Sequence, residues 1–169
     1  MASRFYLQNA AITGTGPTTW RGSWDAGTGT AVTKKLGDDK AGAATTQATA
    51  EASGTNNWDV ALGRWVSDVL TDAVTFTAGT DTWQAVFGVL ESNAAAEDVS
   101  HIHIYITDGD SDTVFGTIVT NSVASPVSTE EWPTTAAGNL FNNSTTNAIG
   151  TTVAARVGDR IVVEIGYQA

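Results

Sequence analysis

The chain contains no cysteine, which excludes a disulfide framework, a thiolate metal site and a cysteine nucleophile. Between residues 65 and 155 it has no Lys or Arg, while eleven Asp and Glu stand there, and the whole chain carries a net charge of −10. An acidic body of this kind repels phosphate backbones, because nucleic-acid binders need a basic stripe to release counterions. Nucleic acid is therefore not an expected partner. The plain reading of the charge is solubility and self-repulsion; a cationic partner is the other. No apolar run approaches the roughly 18 residues of a membrane span, and no basic stretch precedes an apolar one at the start. The expectation is a chain without a classical secretory leader and with no place in a membrane. Catalytic signatures are missing as well. There is no Gly-x-Ser-x-Gly elbow, no phosphate-binding glycine loop and no His-Glu-x-x-His pattern. Glu130 and Glu131 are adjacent rather than opposed, so they make no glycosidase pair. The expectation is a protein that is not an enzyme.

What the chain does contain is 27 Thr, 25 Ala and 17 Gly, together 69 of 169 residues. Such a composition favours pleated sheets and tight turns over long helices, and the length suits one domain with a real core. The strongest local signal is His101-Ile102-His103-Ile104-Tyr105-Ile106-Thr107, then Asp108-Gly109-Asp110-Ser111-Asp112, then Thr113 to Thr120. Isoleucines at every second position make one apolar strand face, and the Gly/Asp cluster turns the chain back into a hairpin. Further strands are expected at Arg4 to Leu7, Ala31 to Leu36, Val60 to Leu70, Ala73 to Phe76 and Thr82 to Glu91. Val60 to Leu70 also allows a short amphipathic helix, which Gly63 disfavours. Gly158-Asp159 makes a turn, and Ile161 to Ile165 reads as a strand buried on both faces. Lys40 to Thr55 is rich in small residues and reads either as a strand or as a loop. Asn121 to Thr151 reads as a long loop with a short strand near Asn139 to Phe141. Eight or so short strands punctuated by turns give an all-β fold, a two-sheet antiparallel β-sandwich of the jelly-roll kind. Residues 1–169 form one domain with an N-terminal arm over 1–8.

Three sets of residues are candidates for binding. Asp108, Asp110 and Asp112 alternate as hard oxygen ligands for calcium do, yet an EF-hand loop needs Gly and Glu where Thr113 and Val119 stand, so a solvated hairpin tip is the better reading. His101 and His103 share one strand face, with cross-strand packing preferred over a two-imidazole metal site because no third ligand is identifiable. Of the six tryptophans, Trp65 and Trp83 sit among apolar neighbours as core residues. Trp24, Trp58 and Trp132 sit in polar surroundings and, with Phe5 and Tyr6 of the arm, are the candidates for a subunit interface or a sugar-stacking surface.

Met1-Ala2-Ser3-Arg4-Phe5-Tyr6-Leu7, Trp20 to Asp25, Asn57-Trp58 followed by Gly63-Arg64-Trp65-Val66-Ser67, Gly116-Thr117-Ile118-Val119 and Val157 to Tyr167 resemble small structural proteins of tailed bacteriophages. The resemblance implies a jelly-roll-like virion component, made in the host cytoplasm. Its place is the capsid exterior as a decoration protein, or the tail and fibre apparatus. It also implies homo-oligomers in contact with the major capsid protein or tail components. The alternative expectation is a carbohydrate-binding β-sandwich using exposed tryptophans. An exposed N-terminal strand suits addition to a neighbouring sheet.

Overall fold

The computed structural model describes residues 4–22, 24, 25, 31–40, 59–88, 90, 99–120, 132 and 140–168. Among these there is no helix. The principal element is a curled six-stranded mixed sheet. It holds β1 (Tyr6–Leu7), β2 (Val32–Gly37), β3 (Asp59–Ser67), β10 (Arg160–Gln168), β6 (Val99–Thr107) and β7 (Val114–Val119), side by side in that order. Two ladders complete the fold: β4 (Val74–Phe76) with β9 (Val153–Ala155), and β5 (Thr82–Gly88) with β8 (Leu140–Ala148).

Pairing explains why β10 is the most buried strand. It runs antiparallel between β3 and β6, with Val162 opposite both Val66 and Tyr105, and Glu164 opposite both Arg64 and His103. The alternation read from the sequence then sorts the side chains. Ile102, Ile106, Ile161, Ile165 and Trp65 lie in one apolar cluster with Leu36, Val119, Ile149, Val153 and Ala155. Phe76, Trp83 and Phe87 of the short ladders pack against this cluster, so the two ladders cover one face of the large sheet. On the other face stand His101, His103, Tyr105 and Thr107 of β6, Val162 and Glu164 of β10, and Arg64 and Val66 of β3.

The expected strands at Ala31 to Leu36, Val60 to Leu70, Ala73 to Phe76 and Thr82 to Glu91 are present within a few residues, and Val60 to Leu70 is strand rather than helix. Three expectations change. The sheet is not purely antiparallel, because β2 and β3 are parallel, with Val32 opposite Gly63 and Leu36 opposite Ser67. β8 is a nine-residue strand rather than a short one near Phe141; its Asn/Thr/Ser run carries no apolar alternation to mark it. The arm does not project: Tyr6 pairs with Gly37 and Leu7 with Leu36, and the buried Gln8 amide donates to the Asp39 carboxylate at 2.8 Å. Most of Lys40 to Thr55, and Trp58, lie outside the described residues.

Candidate functional site

The face opposite the apolar core is polar, yet it is buried. Glu164 and His101 have no exposed surface, and Arg160, Arg64 and His103 are nearly as deep. Charges are taken out of water only where partners replace it. Here the partner is the chain itself: Gln8 to Gly22, with Trp24 and Asp25, crosses this face as an extended strap.

Glu164 is the centre of the arrangement. Its carboxylate accepts from the backbone N–H of Arg21 (2.9 Å) and of Gly22 (2.7 Å), from Trp24 Nε1 (2.7 Å) and from the Tyr105 hydroxyl (2.7 Å). Burial, then the neighbouring Glu164 charge, pushes the Tyr105 hydroxyl above its ordinary range, which keeps it a donor. Trp24 reaches this position because residue 166 is glycine. A Cβ there would lie 2.4 Å from the indole ring and 2.1 Å from the Val60 carbonyl oxygen. Arg64, opposite Glu164 in the register, donates to the Thr19 carbonyl at 3.2 Å and stacks over Trp20, 4.9 Å from the ring centre. Arg160 donates to the Thr13 carbonyl at 2.8 Å, to the Ser67 carbonyl at 2.6 Å and to Asp110 at 2.8 Å.

The aspartates of the hairpin tip close the strap from the other side. Asp110 accepts from the Gly16 N–H at 3.2 Å. Asp112 accepts from the N–H groups of Thr18 (2.8 Å) and Thr19 (2.7 Å) and from the Thr18 hydroxyl (2.7 Å). These bonds hold the Asp112 carboxyl down at about 2. Asp108 lies 3.3 Å from the Arg156 guanidinium. The three carboxylates thus turn to different protein donors and do not converge, and no metal-holding group of three His, Asp or Glu forms among the described residues. The calcium reading of Asp108, Asp110 and Asp112 gives way to a clasp, because backbone N–H groups occupy the oxygens an ion would need.

Further along the face, His101 Nδ1 lies 2.8 Å from Asp59 Oδ1, both groups buried. Burial lowers His101 to about 4 and raises Asp59 to about 6, the latter with help from Asp25. The backbone of Asp59 also holds the end of the strap, through Asp25 N–H to Asp59 C=O at 2.7 Å and Asp59 N–H to the Asp25 carboxylate at 3.0 Å. An Asp–His contact is the orienting half of a nucleophilic triad. His101 Nε2, however, has no hydrogen-bond partner, so no hydroxyl is placed to be activated. Glu164, with four donors on two oxygens, is likewise a poor proton acceptor.

The predicted binding residues are not brought together. Phe5 is exposed at 40 %, Tyr6 is half-buried, and Trp24 is bound to Glu164. Trp132 is buried, its Nε1 donating to Ser100 Oγ at 2.8 Å and its ring centre 5.0 Å from that of Tyr167. Trp24 and Trp132 therefore serve packing within the chain rather than a free stacking surface. His101 and His103 do share the polar face, as expected. Glu164, Arg64 and Arg160 were not singled out from sequence, although each is a charge set within an otherwise apolar strand, and that is the signal that marks them. Set against family models, curated proteins and solved structures, the chain matches none.

Proposed function

We propose that this chain is a non-enzymatic structural component of a tailed-bacteriophage particle, a decoration protein on the capsid exterior in contact with the major capsid protein. One observation carries the reading: the buried ionisable groups of the polar face are committed to fixing the chain's own N-terminal strap. They serve a defined shape rather than an open site. The phage-like sequence segments described above support the same reading, and several of them, Trp20 to Asp25, Gly63 to Ser67 and Val157 to Tyr167, contribute directly to the strap and its seat. In this reading the ladders β4–β9 and β5–β8 stand for the second sheet of a jelly-roll-like sandwich. The carbohydrate-binding alternative loses Trp24 and Trp132 to internal contacts. Quantitative mass spectrometry of purified particles tests the proposal. Tens to hundreds of copies per particle are expected of a decoration protein, a handful moves the chain to the neck or fibres, and absence overturns the virion reading.

A further inference from the structure

We infer that the polar face is an exchange site for a second copy of this chain, the strap of one molecule docking on the face of another in the assembled state. The face recognises the strap chiefly through its backbone. The groups it binds are the Thr13 and Thr19 carbonyls and the N–H groups of Gly16, Thr18, Thr19, Arg21 and Gly22. Trp24 in the hollow over Gly166 is the one side-chain key. Such a site is satisfied by this segment whichever molecule supplies it, so the bonds are the same within a chain and between chains.

Two features make the exchange cheap. No strap residue belongs to the two clusters that include the apolar face, and only Ile12 packs against the small cluster of Val66, Tyr105 and Val162. Undocking therefore leaves the main core intact. It also returns Glu164, Arg64 and Arg160 to water, and the recovered hydration offsets part of the lost bonding. What favours the internal arrangement is then mainly effective concentration, on the order of millimolar for a tethered segment. Copies held side by side at comparable density exchange their straps. This inference does not depend on the virion reading, since any dense assembly supplies the condition.

The absence of cysteine gives a direct test. The Thr18 hydroxyl and the Asp112 carboxylate are 2.7 Å apart, so Thr18→Cys and Asp112→Cys place two thiols face to face. The two single variants are co-refolded at equal ratio near 1 mM (the order of the tethered concentration) and oxidised. Exchange predicts a cross-linked dimer in the mixture, up to about half of the chains for random pairing, and none in either variant alone. No cross-link in the mixture, with the double variant closing within a single chain, overturns the inference. The unmodified sequence provides the second readout. In a co-refolded mixture of isotope-labelled and unlabelled chains, nuclear Overhauser contacts between the Trp24 ring and the Gly166 α-protons are expected between molecules. Contacts confined to one molecule, or a chain that stays monomeric at that concentration, overturn it. Neither readout involves particles, so it succeeds or fails separately from the virion proposal.

Discussion

At the scale of residues, the polar face turns on single atoms. Trp24→Phe keeps a ring over Gly166 and removes only the Nε1–H that donates to Glu164. A hydrogen bond to a charged group is worth about 1.5–3 kcal/mol, and with roughly 2–4 °C per kcal/mol for a chain of this size the melting temperature falls by about 3–12 °C. An unchanged melting temperature would show that the bond is idle. The Asp59–His101 pair yields a prediction of sign. His101, lowered to about 4, binds its proton less readily in the folded chain than in the unfolded one, and by itself makes stability fall as pH drops from 6.5 towards 4. Asp59, raised to about 6, does the reverse and by itself makes stability fall as pH rises from 3.8 to 6. Side by side the two nearly cancel, because the pair takes up protons as one unit. Accordingly, His101→Asn should lose stability as pH rises from about 4 to about 6, and Asp59→Asn should lose it as pH falls from about 6.5 to about 4. Thermal melts of both variants across that range check it, and parallel profiles would refute the coupling.

At the scale of elements, much of the fold was legible. Ile102, Ile104 and Ile106 marked β6, the Asp/Gly cluster marked the hairpin, and Ile161 to Ile165 marked a strand buried on both sides, which pairing confirms. Two features were not legible. β8 lacked apolar alternation, and the parallel β2–β3 pair depends on a long-range register that no local pattern encodes. The strap was illegible for another reason: Gln8 to Gly22 has no periodicity, and its order comes from distant side chains such as Glu164 and Asp112. Gly16, at φ +63° and with a Cβ position 2.7 Å from Ile12, permits the bend in the strap. The hairpin end of the strap is governed by acid. Asp112 is depressed to about 2 by the Thr18 hydroxyl and then the Thr19 N–H, so its hold is complete above the unfolded value near 3.8 and is lost as pH falls towards 2. Fluorescence of Trp20, which borders Arg64, should change across that range in the parent and not in Asp112→Asn. A parent signal constant down to pH 2 would contradict the clasp.

At the scale of the whole molecule, the strap binds the start of the chain to its last strand, Arg21 and Gly22 bonding to Glu164. The extreme N-terminus is part of the same plan. Removing residues 1–8 deletes β1, the Gln8–Asp39 bonds and the Gln8 carbonyl that accepts from Trp65 Nε1 at 3.3 Å. Such a truncation should therefore lower stability as well as any assembly, by about 2–4 kcal/mol for two or three buried polar contacts. Denaturant unfolding of the truncated chain measures this, and an unchanged midpoint would return residues 1–8 to the status of a free arm. The central claim is that the buried charges exist to hold the strap, and native-state hydrogen exchange in the parent and in Glu164→Gln tests it most directly. The parent should protect the amides of Arg21 and Gly22, and the variant should lose roughly 10- to 100-fold of that protection while β3 and β10 keep theirs. Unprotected strap amides in the parent, or equal protection in both chains, would contradict the account.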